Sequence, residues 1–383
     1  MLCQYDCKRD IGSTSLEYIN SALRRSFNCK SVELRGQILM VDLVEDVSQE
    51  KFSEIIQNLL FVSKNLERKT TYSNKVSHPY SGNPMLALLE SGDVIQTGPG
   101  IFSFQGAFLN VLKSCERYFE SVATRLQAVE QRYPTLWPVD LYKKINYFSE
   151  FPQQIILSAA LENDYASREN FAKKYHKDEQ YSSVNMEQDF AHSHFGMQCA
   201  VCDTCYYNIR GSRNYPNSLF TTHNRVYRNE KSPTDSLDRL TEFTVRDIMF
   251  VGSKEHVLEY RQHMLNEAEN LLAGLDLESK IETADDPFFT NDTVMKNLFQ
   301  SSAELKYELQ VKLNHSGAFI AVGSVNTHLD FFGESFDIRL EDESYAYSGC
   351  MGIGFERLAY ALYCQYGEKT DNWPAQVRSM LNL

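Results

Sequence analysis

The sequence predicts an α+β protein: a mainly antiparallel sheet flanked by helices, with a small α/β module ahead of it. Three observations lead there. ELKYELQVKL, AFIAVGSVNTHLDF and ESFDIRL read as successive strands in the last third of the chain. Runs of strands are punctuated by helices instead of alternating with them one for one, which disfavours a doubly wound parallel sheet. Finally, 383 residues at 43% hydrophobic content can bury one large core and a smaller one beside it.

Taken in order, Thr14 and Glu17 have capping-box spacing, and Leu16, Ile19, Leu23 and Phe27 follow as one helical face. The stretch SVELRGQILMVDLVED alternates and then runs apolar around Gly36, as two short strands joined by a turn would. Phe52, Ile55, Ile56, Leu59 and Leu60 recur at helical spacing, and the pattern decays into the polar segment ERKTTYSNKVSHPYSGNP. We place a linker from Glu67 to Pro84, an accessory module at residues 1–78 and a larger domain at residues 79–383. After the turn Gly98-Pro99-Gly100, a long amphipathic helix is expected from near Gln105, with Phe108, Leu109, Leu112, Phe119 and Val122 on its apolar face. The helix FERLAYALYCQYG closes the fold.

Charge and cysteine usage narrow the function. A formal net charge of −13 and a pI near 5.2 give no basic footprint for a nucleic acid, although a local basic patch stays open. The opening MLCQYDCKRD is too polar for a secretory signal and no apolar run reaches membrane-spanning length, so a cytoplasmic protein is expected. Nine cysteines, an odd number scattered through a long chain, point to reduced thiols and metal ligands rather than a disulfide framework.

Two segments carry the chemistry. In VYRNEKS, Arg228 and Glu230 stand two positions apart on an expected strand, so both point to one face of the sheet. One can clamp a phosphate or carboxylate while the other accepts from a base or an amine. Arg239 follows near the turn, and Phe243 opens the return strand, where its ring could stack on adenine. Taken alone, Arg-x-Glu is far more often the surface ion pair of a solvated hairpin. In GIGFER, Gly352 and Gly354 allow close approach of a ligand, and Arg357 at the helix start suits a terminal phosphate. Many strand-to-helix junctions carry two glycines for packing alone.

The ordered set is more specific than either segment. YRNE…RLTEF and GIGFER, with DDPFF from Asp285, ELKYEL from Glu304 and SVNTHLDFFGESFDI from Ser324, resemble the second and third signature motifs and the intervening strands of the class II aminoacyl-tRNA synthetase catalytic domain. The resemblance runs from about Gly98 to Gly367. It is closest to the amino acid:[carrier protein] ligases, which resemble the catalytic domain of the atypical archaeal seryl-tRNA synthetases.

That resemblance implies a six- or seven-stranded antiparallel sheet, a homodimer, and ATP with Mg2+ and Zn2+ as cofactors. The reaction implied is attack of an amino-acid carboxylate on the α-phosphorus of ATP, then acyl transfer to the phosphopantetheine thiol of a carrier protein, with no tRNA and no membrane partner. Arg228, Glu230 and Arg357 would be the catalytic residues. Arg239, Phe243, Glu308, Gly352 and Gly354 would bind the nucleotide and its magnesium, and Asn326 and His328 would line the substrate pocket. The zinc ligands fall on Cys205, Asp247 and Cys350. Three protein ligands leave a fourth position open for a substrate amine. Where the family has glutamate this chain has Asp247, one methylene shorter. The ion could shift, the substrate could differ, or the site could lack a metal. Cys199, Cys202 and Cys205 form Cys-x-x-Cys-x-x-Cys, which is also the spacing of a local structural zinc. The competing functions are seryl-tRNA synthetase-like tRNA charging and a non-catalytic regulatory subunit; residues 1–78 have no assigned role beyond a possible docking module.

Overall fold

Apolar alternation and one tight turn build the N-terminal module. Its elements are β1 (Leu2–Asp6), α1 (Ser13–Ser26), β2 (Cys29–Arg35), β3 (Ile38–Leu43) and α2 (Gln49–Asn65). The computed structural model describes residues 2–383 apart from 9, 27–28, 45, 66–67, 176–189, 192–193, 230–234, 287–299 and 301–302. The strands pair antiparallel in the order β1-β3-β2, and Gly36 makes the β2–β3 turn at φ +62°, where a side chain would be strained. Ile19, Leu23, Leu39, Val41, Leu43, Phe52 and Ile56 close a core of their own. Two details differ from expectation. Leu2–Asp6 adds a third strand, and α1 begins at Ser13, so Thr14 lies inside the first turn and not at the N-cap. Phe27 lies outside the described residues.

Among the described residues the large sheet has eight strands, not six or seven: β4 (Thr70–Asn74), β5 (Val129–Glu130), β6 (Ser218–Tyr227), β7 (Glu242–Gly252), β8 (Ser279–Thr283), β9 (Lys306–Lys312), β10 (Phe319–Leu329) and β11 (Tyr347–Gly354). Their order is β4-β8-β9-β10-β11-β7-β6-β5, antiparallel throughout except for β5 against β6. The added edges are the two-residue β5 and β4, the latter within the segment read as linker. A boundary at residues 78/79 therefore follows a strand already paired into this sheet.

Helices α3 (Gly106–Arg125), α4 (Cys202–Asn208), α5 (Lys254–Gly274), α6 (Phe331–Phe336) and α7 (Phe355–Tyr366) cover it. The expected helix from Gln105 is α3, with Phe108, Leu112, Phe119 and Val122 buried. The expected strand ESFDIRL is instead the end of α6, closed by left-handed Asp337 at φ +52°. Phe332 and Phe336 stack with centroids 6.0 Å apart, an i,i+4 pairing that outweighs the apparent alternation. Gly333 lets α6 lie directly on the Ala346 backbone.

Strand register assigns the faces, because directly paired residues project to the same side. Glu282, Glu308, Ser324, Gly352, Asp247 and Thr222 form one row across six strands, and Lys306, Asn326, Cys350, Met249 and Phe220 form the adjoining row on that face. Thr244 and Arg246 face the other way, toward α7: the Thr244 N–H and hydroxyl both donate to the Glu356 carboxylate, at 2.9 and 2.8 Å. Helix α5 packs with α7 on the sheet, and α4 and α6 pack together over β7 and β11 respectively. Among the described residues, no helix is long and apolar enough to cross a membrane.

Candidate active site

Three segments distant in sequence converge under α4. Cys202 stands in its first turn, His328 near the end of β10 and Cys350 in the middle of β11. One ligand atom from each lies within 4.8 Å of the others, the one such His/Cys/Asp/Glu group among the described residues. Cys350 Sγ and His328 Nε2 are 3.8 Å apart, and Asn326 Nδ2 donates to Cys350 Sγ at 3.6 Å. His328 Nδ1 lies 3.2 Å from Ser348 Oγ. The rings of Tyr206 and Phe332 meet the imidazole edge-on at 5.6 and 5.0 Å. Tyr206 itself is tied to the sheet by its hydroxyl, which donates to the Gly349 carbonyl at 3.0 Å.

Two of the expected metal ligands, Cys205 and Asp247, are not members of that group. Both are buried beside it. Cys205 is one turn along α4 from Cys202, and Asp247 lies over Gly352, where a Cβ would fall well inside van der Waals contact of Oδ1. Gly352 is thus required by the Asp247 carboxylate. A Cβ at Gly354 would meet Phe243 no closer than 3.8 Å.

The cluster concentrates groups that prefer a cation. Burial pushes the Asp203 carboxyl up to about 7, and burial, then the Cys350 and Asp203 charges, hold Asp247 well above the carboxylate range. Burial likewise pushes Cys205 up to about 12. The hydrogen bond with Cys350, reinforced by burial, holds Cys202 well above the thiol range, while the same bond holds Cys350 well below it against the cost of burial. Two thiols and an imidazole within 4.8 Å of one another, with a third thiol and two carboxylates buried beside them, fit a thiophilic divalent ion such as zinc, which would favour the deprotonated form of the donors it binds.

Arg228 follows directly on β6, one residue past its end, with its backbone N–H on the Thr241 carbonyl at 2.9 Å and Nε on the Cys199 carbonyl at 3.2 Å. Its charge lowers both Asp203 and Asp247. The guanidinium sits 5.4 Å from the Phe243 ring centroid, so one face of the ring expected to stack on adenine carries Arg228. Glu230 lies outside the described residues. Arg239 is half-buried in the turn before β7, and Arg357 is half-buried in the first turn of α7, donating to the Ala321 carbonyl at 3.4 Å.

Glu308 is not a bare carboxylate: Lys306 Nζ lies 3.5 Å away and Gln310 Nε2 donates to it at 3.2 Å. Lys306 also holds Asp286 at 2.6 Å. Burial pulls the Lys306 ammonium down, but Asp286 and Glu308 outweigh it and its affinity for a proton rises. Lys306, Asp286 and Asp203 escaped the sequence reading. The strand pairing of Lys306 with Asn326 is what puts that lysine in the row of Cys350.

Residues 195–366 match the family model of the class II tRNA synthetase core domain (G, H, P, S and T). The amino acid--[acyl-carrier-protein] ligase 1 of Bradyrhizobium diazoefficiens is 32% identical over 153 residues, 40% of this chain and 47% of that protein. The type-2 serine--tRNA ligase of Methanothermobacter thermautotrophicus is 25% identical over 278 residues, 71% of this chain and 54% of that protein. The chain thus spans about half the length of these curated relatives. Among solved structures, M. kandleri SerRS in complex with A. aeolicus tRNASec matches with a TM-score of 0.70 at 17% identity, covering 100% of this chain and 77% of that one. Over residues 195–366 this protein is thus similar to the class II tRNA synthetase core domain, and its fold is the class II synthetase fold.

Proposed function

We propose that the protein is an adenylate-forming ligase that activates a small amino acid with ATP and transfers it to the phosphopantetheine thiol of a carrier protein. The observation supporting this reading is Arg228, which is held on the Cys199 carbonyl and whose charge acts on the buried Asp203 and Asp247 beside the thiol and imidazole cluster. An anion-binding group then adjoins a pocket suited to a small polar substrate. The substrate carboxylate attacks the α-phosphorus and pyrophosphate leaves. The acceptor sulfur then attacks the acyl carbon, losing its proton, and AMP leaves.

Arg228 and Arg357 supply positive charge where negative charge develops on the phosphates, and Glu230 accepts from the base or amine. Gly352 and Gly354 would keep the sheet face low, Phe243 and Arg239 would border the nucleotide, and Glu308, beside Lys306, would help to hold a magnesium ion that neutralises phosphate charge. Asn326 and His328 edge the amino-acid pocket. A zinc held there, on Cys350 with either Cys205 and Asp247 or Cys202 and His328, would offer an open position to the substrate amine.

The carrier-protein acceptor is favoured by the relative at 32% identity and by the net charge of −13, which disfavours a polyanion. The longer alignment to type-2 serine--tRNA ligases supports tRNA as the competing acceptor. We take the working form to be a homodimer in the cytoplasm. ATP–pyrophosphate exchange across the amino acids tests the first half-reaction: exchange with one or a few small amino acids is expected, and none with any amino acid would remove it.

A further inference from the structure

We propose that Cys202, His328 and Cys350 form the inner ligand set of a metal in this pocket, two thiolates and an imidazole, with Cys205 and Asp247 standing beside the ion. The proposal rests on the reading above only in placing a metal here.

Donor geometry is the first argument. For tetrahedral zinc with ordinary bond lengths, a sulfur and a nitrogen ligand stand about 3.6 Å apart. Cys350 Sγ and His328 Nε2 are already 3.8 Å apart, and Cys202 completes a group whose ligand atoms all fall within 4.8 Å. Little rearrangement separates this from a coordination triangle with one open vertex.

The surroundings of His328 are the second. Ser348 Oγ lies 3.2 Å from Nδ1 and Nε2 is the nitrogen turned toward Cys350; a proton on Nδ1 donated to Ser348 would leave Nε2 as a bare lone pair. A hydrogen bond on the far nitrogen is how metal-binding histidines are oriented. Tyr206 and Phe332, stacked on each other, both pack edge-on against the ring. At Cys350, the Asn326 amide donates to sulfur, which favours thiolate.

The third argument is reach. Asp247 has one methylene fewer than the glutamate the resemblance calls for, and its carboxylate rests over Gly352 instead of joining the group. The neighbouring strand supplies an imidazole in its place. The Cys-x-x-Cys spacing matters too: Cys202 and Cys205 share a helical face, so a change of carboxylate length can pass the ion from one cysteine to the other.

The test uses the purified full-length chain loaded with zinc or Co(II). Chelator competition gives the zinc affinity of C202S, H328Q, C205S and D247N, while Co(II) absorption and X-ray absorption count sulfur ligands. Removing a true ligand should exceed the 10- to 100-fold loss typical of outer-shell changes, so C202S and H328Q should weaken binding more than about 100-fold, with C205S and D247N within about 100-fold. Two sulfurs are expected in the wild type and in C205S, and one in C202S. Matching melting curves of the metal-free variants and metal-free wild type guard against a folding artefact. The reverse order, with C205S or D247N losing a ligand and C202S and H328Q retaining the wild-type set, would overturn the proposal, as would a wild type that binds no metal. Metal bound on this set without pyrophosphate exchange would instead remove the reaction and leave the ligands standing.

Discussion

Replacing Gly352 by alanine should destabilise the protein only while Asp247 is present. Gly352 has an ordinary negative φ, so the backbone accepts a side chain, and in a strand alanine gains roughly 0.5–1 kcal/mol over glycine. Opposing this, the new methyl would overlap Asp247 Oδ1 by on the order of 1 Å relative to van der Waals contact. Asp247 is 7% exposed and cannot swing into solvent. Overpacking of this kind costs about 1–3 kcal/mol, so G352A should come out net destabilised by about 1–2 kcal/mol. In a D247A background the obstacle is gone and the same G352A change should become neutral or slightly stabilising. Urea unfolding of the four proteins in a double-mutant cycle reads the coupling directly. Additive effects, or a G352A chain as stable as the wild type, would refute the placement of the Asp247 carboxylate over Gly352.

Further outcomes follow from the other groups. Glu356 is 4% exposed, and burial raises its carboxyl from 4.5 to about 7 despite the bonds from Thr244. Because the folded value is the higher one, wild-type stability should fall as pH rises from 4.5 through 7, by about 3 kcal/mol from this group. E356Q lacks this loss, so the stability of the wild type relative to the variant should fall across that window, and a pH-independent difference would contradict it. R228A and R357A should each reduce pyrophosphate exchange about 100- to 1000-fold while melting within a few degrees of the wild type. Near-normal exchange in either would take that arginine out of the phosphate site.

Local patterns carried much of the fold. The apolar face of α3 is legible because Phe108, Leu112, Phe119 and Val122 recur at helical spacing around one buried stripe. The hairpin of β6 and β7 is legible because the polar stretch after Arg228 separates two apolar runs. ESFDIRL was misread because a six-residue helix is too short to show its period, and the contact that decides it, Phe332 on Phe336 above Ala346, needs the third dimension. Strand β4 was hidden because TTYSN is polar: it is an edge strand held by β8 rather than by burial of its own side chains.

The site divides the same way. Motif order pointed to Arg228, Arg357, Cys350 and His328, but not to which donors approach within bonding reach. Cys202 and His328 are separated by more than a hundred residues of sequence, and their convergence depends on how α4 sits over the sheet. Lys306 beside Glu308 is visible in the sequence as a lysine two places before a glutamate on one strand, whereas its ion pair with Asp286 needs the fold to bring the two segments together. The missing methylene at Asp247 was visible from the outset; its consequence was not, because Gly352 lies on a different strand.

The most direct test of the account is a mass-spectrometric assay in which the protein, ATP and the amino acid active in exchange meet apo carrier protein, holo carrier protein and total tRNA. The account predicts an increase in holo-carrier mass by one aminoacyl group, reversed by thioester cleavage, with apo carrier and tRNA unchanged. Aminoacyl-tRNA appearing while the holo-carrier mass stays constant would contradict it.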